Sequence, residues 1–143
     1  HRDTRRSLTL TAAPAPGERA PAAMGLPETP VEFQAATLPS GVLYTRLNIF
    51  IAPNIVMPAF SQAVGSALNA PGVIIDLRGN PGGIGLMAMG MAGWFIDQQG
   101  VNLGTLKARG INLNFFVNPR AQPFPGKVAV LVDELSMSTS EIL

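Results

Sequence analysis

Four hydroxyl side chains crowd the C-terminal end of the sequence: Ser136, Ser138, Thr139 and Ser140. They follow an unbroken apolar run, Val128-Ala129-Val130-Leu131-Val132, and an acidic pair, Asp133-Glu134; Glu141-Ile142-Leu143 comes next. The apolar run predicts a central strand covered on both faces. The residues from Glu141 onward predict the opening of a helix. A serine at such a strand-to-helix turn sits at the sheet rim, beside helix amides that no backbone carbonyl satisfies. Those amides can stabilise a developing oxyanion, which suits a nucleophile. The spacing alone has a simpler reading. Ser138-Thr139-Ser140-Glu141 is a capping box, with Ser138 as N-cap and Glu141 at the third helical position.

A second turn, Gly79-Asn80-Pro81-Gly82-Gly83, follows another apolar strand pattern, Val73-Ile74-Ile75-Asp76-Leu77-Arg78. Gly83-Ile84-Gly85-Leu86-Met87-Ala88 fits G-x-G-x-x-A, the dinucleotide fingerprint, but the first glycine of that pattern should follow the strand directly. An acidic residue should also lie about 20 positions on, and none lies between Asp97 and Asp133. No Gly-Lys-Ser/Thr follows, so the turn is not a P-loop. A purely structural reading uses the glycines for positive φ and tight strand–helix packing. A third reading makes the Gly82-Gly83 amides half of an oxyanion hole, completed by the amide after Ser138. It requires the two strands to be adjacent and parallel, so that both turns share one sheet edge.

Other side chains offer less. Asp76 and Arg78 share a strand face and are expected to brace the glycine turn; Asp133 and Glu134 are expected to form a turn. Met87, Met89 and Met91 are expected in the core, and Trp94 and Phe95 in the core or a subunit contact. The single histidine is His1 and there is no cysteine, which argues against a histidine triad, a zinc site or a disulfide framework. Of the two lysines, Lys127 lies at the far end of the last strand, about 20 Å from Ser138 at ~3.3 Å per residue. Lys107 lies on a hairpin that nothing places near the serine.

The elements that must position these residues alternate. Residues 7–11 predict an edge strand, residues 31–38 a short strand, and residues 41–50 a strand with period-two alternation. Residues 53–69 predict a helix with Met57, Phe60, Val64 and Leu68 on one face, Asn54 as cap and Pro58 in its first turn. Residues 84–96 form a charge-free helical pattern, and residues 101–108 and 111–117 a hairpin turning at Arg109-Gly110. Strands alternating with helices predict an α/β layer fold. Residues 12–30 hold five prolines and predict a linker. At 143 residues with ten basic and nine acidic side chains, the chain suggests one domain with extra segments and no nucleic-acid partner. No apolar window reaches the ~18 residues of a membrane span. The start without methionine, and a last helix too short to stand alone, suggest a fragment of a longer protein.

The ordered pair of motifs, residues 72–83 (G-V-I-I-D-L-R-G-N-P-G-G) and residues 128–143, resembles the carboxyl-terminal processing, or tail-specific, serine peptidases. Residues 41–50 look like that family's first core strand, and residues 2–16, more loosely, like the closing strand of a preceding PDZ domain. The resemblance implies an incomplete Clp/crotonase-like core over residues 41–143, a PDZ remnant over 1–14 and a linker over 15–40. It implies a Ser-Lys endopeptidase with Ser138 as nucleophile. The oxyanion donors would be the amide of Thr139 and one of Gly82 or Gly83. Met137 and Thr139 stand where many members have alanine. The family's lysine base lies about two dozen residues beyond the serine, so the chain itself is expected to be inactive. No cofactor or metal is implied. The partners implied are polypeptide substrates, with a homo-oligomer and PDZ-type capture of substrate C-termini in view, at an extracytoplasmic location. The competing readings are a non-catalytic peptide- or ligand-binding protein on this fold and an acyl-CoA-handling crotonase relative. The latter leaves the hydroxyl cluster unexplained.

Overall fold

The computed structural model describes residues 7–22 and 25–143. Its main sheet has four strands in the order β3-β4-β5-β8. β4 (Leu43–Leu47), β5 (Gly72–Asp76) and β8 (Lys127–Leu131) run parallel, while β3 (Phe33–Thr37) is antiparallel to β4. Residues paired in register share a face. Leu43, Thr45 and Leu47 therefore lie on one side with Val73 and Ile75, and these are buried. Helices α1 (Pro53–Ser66) and α2 (Gly85–Ala92) contribute Val56, Phe60, Val64, Met87 and Met91 to the same core. The α/β reading of the sequence holds.

Helix α1 begins at Pro53, whose missing N–H costs nothing in a first turn. Ala52 precedes it in a left-handed conformation (φ 52°, ψ 61°), so Asn54 lies inside the helix instead of capping it. Val56, Phe60 and Val64 form the buried stripe. Phe60 packs edge-on against Phe33, with ring centroids 6.0 Å apart, and against Phe95 at 6.3 Å. Helix α2 stops four residues short of the expected Ile96, at Ala92. The hairpin of β6 (Val101–Ala108) and β7 (Ile111–Val117) forms as expected.

Three expectations are corrected. Residues 7–11 form no strand and are exposed, because alternation makes a strand only where a partner offers backbone bonds. Residues 15–40 are more than a linker. β1 (Glu18–Ala20) pairs with β2 (Thr29–Val31), which the linker reading does not foresee, while β3 is the short strand expected within residues 31–38 and joins the main sheet. The apolar β8 is not central: it is the last strand in the sheet and exposed along most of its length. Its valines gave a pattern that burial by both neighbours would explain, but only β5 lies beside it among the described residues.

On the sheet face opposite the helices, the buried Asp76 carboxylate accepts the Tyr44 hydroxyl (2.6 Å) and the Arg78 Nη2 (2.7 Å), Nε (2.9 Å) and backbone N–H (3.0 Å). The Arg78 hydrogen bond holds the Asp76 carboxyl well below the usual carboxylate range, and the Tyr44 hydroxyl is pushed up by the same carboxylate. A depressed carboxylate stabilises the fold above its unfolded pKa of ~4 and loses that contribution as pH falls below it. Asp76→Asn is therefore expected to lose about 2 kcal/mol at pH 7. Urea unfolding should show that deficit shrinking at pH 3; equal deficits at both pH values would contradict the assignment.

Candidate active site

Because β5 and β8 are parallel neighbours, the turns that follow them emerge at one sheet edge. Leu77 N–H extends the ladder to the Leu131 carbonyl at 2.9 Å. Beyond it the turns bind each other. Asp133 Oδ1 accepts the Gly79 N–H (2.9 Å) and the Leu135 N–H (3.1 Å). The Gly79 N–H, foremost among its donors, holds the Asp133 carboxyl below its ordinary range. Asp133 is thus the turn-former the sequence suggested, and it braces the glycine turn more directly than Asp76 does.

The hydroxyl cluster divides by use. Ser136 Oγ donates to the Leu77 carbonyl (2.8 Å), Thr139 Oγ1 to Gly83 (2.8 Å) and Ser140 Oγ to Asn80 (2.9 Å). Three hydroxyls therefore stitch the serine turn to the 77–83 segment. Ser138 is different. It is exposed, and its backbone has φ 55° and ψ −114°, a conformation that costs a residue with a Cβ about 1–3 kcal/mol. The Ser138–Glu141 capping-box pair is in place, and the Glu141 carboxylate accepts the Ser138 N–H at 2.7 Å. The reciprocal half is weak. The Glu141 N–H bonds at 3.0 Å to the Ser138 backbone carbonyl, and Ser138 Oγ has no formed cap bond of its own.

The two turns touch. A Cβ built on Gly82 would lie 2.6 Å from the Met137 carbonyl oxygen, 2.7 Å from Ser138 Cβ and 2.8 Å from Thr139 N. Gly82 has φ 95° and Gly83 has φ 139°, so glycine serves here both the backbone conformation and the close approach. The Gly82 N–H is spent on Asn80 Oδ1 (2.9 Å). Among the described residues, the amides of Gly83 and Thr139 have no intramolecular acceptor.

Gly83, Ser138 and Thr139 line one cleft of about 730 Å³. Its other walls are largely apolar, with Ile84, Leu86 and Met89 from the α2 side, Leu106, Leu113 and Phe115 from the hairpin, and Ile142. Met89, expected in the core, faces this cleft, while Met87 and Met91 are buried. Glu141 is the one charged residue of the lining; neither lysine belongs to it. Lys127 starts β8, whereas Ser138 follows its other end, and Lys107 pairs with Asn112 on the hairpin. Among the described residues no group of histidine, cysteine or acidic side chains could hold a metal ion, and no helix is long and apolar enough to cross a membrane.

Sequence reasoning missed the importance of Asn80, which is fully buried at the junction. A signal existed, since an asparagine side chain commonly accepts the amide two residues on.

Residues 41–143 match the sequence profile of Peptidase family S41. The chain belongs to that family. Among solved structures, this S41 chain is similar to a candidate peptidase from Parabacteroides merdae (TM-score 0.63, 17% identity, covering 77% of this chain and 38% of that one). It is also similar to a photosystem II D1 C-terminal processing protease (TM-score 0.61, 24% identity, 81% and 33%). A third is a candidate S41 protease from Bacteroides fragilis (TM-score 0.61, 21% identity, 85% and 36%). The S41 chain thus spans between 33% and 38% of the length of these structures, and what they share with it is the fold. No match was found among curated proteins.

Proposed function

We propose that this chain carries the nucleophile and oxyanion parts of a Ser-Lys endopeptidase that cuts polypeptides near their C-termini. The observation that carries the reading is Ser138 itself. Its hydroxyl is the one member of the cluster not spent on the neighbouring turn, and it is held in a strained conformation at a cleft it shares with two free amides. In this reading Ser138 Oγ attacks the scissile carbonyl, and the Gly83 and Thr139 amides receive the oxyanion. The apolar walls take side chains flanking the bond. A lysine accepts the serine proton, and it comes from sequence other than residues 1–143. Capture of substrate tails by a PDZ-like unit and an extracytoplasmic location rest on the family resemblance alone.

The largely apolar walls of the cleft also suit a second reading, a protein that binds peptides on this fold without cleaving them. A serine-directed fluorophosphonate separates the two. Residues 1–143 should label weakly, since a serine without its base is a poor nucleophile. A form carrying the downstream sequence should label strongly, with the adduct on Ser138 by peptide mass mapping. A downstream-extended form that stays unlabelled would favour the binding protein.

A further inference from the structure

We infer that Asn80 is a positioning residue that selects which glycine amide faces the oxyanion, an inference that rests on the catalytic reading above. Asn80 is 0% exposed, and every polar group it has is bonded. Its Nδ2 donates to the Leu47 carbonyl at the end of β4 (2.9 Å), and its Oδ1 accepts the Gly82 N–H (2.9 Å). Its own N–H goes to the Leu77 carbonyl (3.0 Å). Its carbonyl accepts the Met137 N–H (3.1 Å) and the Ser140 hydroxyl (2.9 Å) from the serine turn. The amide orientation is dictated by these partners: a carbonyl needs the NH₂ and an N–H needs the oxygen.

Two consequences follow. One side chain ties β4 to the glycine turn, and the same residue's backbone ties that turn to the nucleophile. Capture of the Gly82 N–H also removes it from competition for a substrate oxygen. The turn is pinned a second time by Phe50, whose N–H bonds Gly82 O (2.8 Å) and whose carbonyl accepts the Ile84 N–H (2.7 Å). Between those two bonds the Gly83 N–H is left free, on an exposed residue that lines the cleft. Without Asn80 the Gly82 amide would be an unpaired donor beside the nucleophile, and the turn could rotate to satisfy it.

The test uses ¹⁵N-labelled chain and a probe that needs no base: a short apolar peptide with a free C-terminal carboxylate, compared with the same peptide as its amide. In the parent protein the Gly82 N–H should exchange slowly with solvent and the Gly83 N–H quickly. The carboxylate should shift the Gly83 resonance and not that of Gly82, and should bind at least ~10-fold tighter than the amide. Asn80→Ala should speed Gly82 exchange by ~10-fold or more and abolish the carboxylate preference, with apolar peptide binding retained. Asn80→Asp keeps an acceptor for Gly82 and should keep its N–H slow, a rescue that a merely space-filling residue would not show. A folded Asn80→Ala that retains the carboxylate preference overturns the inference, as does a carboxylate that shifts Gly82. A parent protein that binds both peptides equally, with slow Gly82 and fast Gly83 exchange, would instead remove the oxyanion reading and leave Asn80 with a structural role only.

Discussion

Ser138→Gly should abolish peptidase activity in a form of the protein that includes its base while making the fold more stable. The activity loss is expected at 10³-fold or more, as for removal of the nucleophile in related hydrolases. The stability gain follows from the backbone. At φ 55° and ψ −114° a serine carries about 1–3 kcal/mol of strain that glycine does not. The greater freedom of glycine in the unfolded chain returns roughly 0.4–1 kcal/mol of that. A net gain of about 1 kcal/mol, or roughly 3–5 °C in Tm, remains. Ser138→Ala should lose activity equally without the gain, since alanine keeps the Cβ. Thermal unfolding of the two variants thus separates the site's two readings. If Ser138 were a helix cap and nothing more, glycine would cost a few tenths of a kcal/mol and alanine about 1 kcal/mol. A Ser138→Gly protein that is less stable than the parent would contradict the strain argument, and one that still cleaves would remove the nucleophile assignment.

Gly82→Ala should be strongly damaging, because it forces apart the two turns of the candidate site. The new methyl group would meet a backbone oxygen at 2.6 Å, a Cβ at 2.7 Å and a backbone nitrogen at 2.8 Å, all in the serine turn. None of these is the end of a flexible side chain, so the two turns must separate. A destabilisation of about 3 kcal/mol or more is expected. A loss of activity near 10²-fold should accompany it in whatever fraction stays folded, since a displacement of about 1 Å is enough for that. Gly79→Ala is the control. Gly79 also has positive φ, 75°, but a Cβ there would meet nothing within 4 Å, so only the conformational penalty of about 1 kcal/mol applies. Urea unfolding of both variants checks the difference. Equal losses would mean that the contact between the turns contributes nothing.

Much of this arrangement was legible beforehand because local rules govern it. Period-two alternation in residues 41–50 and the apolar run in residues 73–75 gave β4 and β5, and Arg109-Gly110 gave the hairpin turn. The order of the two motifs gave the family. The limits are equally particular. β8 reads as a central strand, yet among the described residues only β5 lies beside it, because apolar composition records a preference for burial and not which neighbour supplies it. Residues 7–11 alternate as a strand does and form none, because pairing is a property of two segments.

The division at the candidate site follows the same line. Local patterns marked the serine turn and the glycine turn, and the family resemblance carried by their order nominated Ser138, Thr139 and the glycine pair. The capture of the Gly82 amide by Asn80, two residues before it, is a local bond that the asparagine signalled. Which hydroxyl is left unspent, in contrast, was decided only in three dimensions. So was the wiring of both turns through Asn80 and Asp133. Those outcomes depend on hydrogen bonds between segments more than 50 residues apart, and no pattern within one segment records what the other offers it.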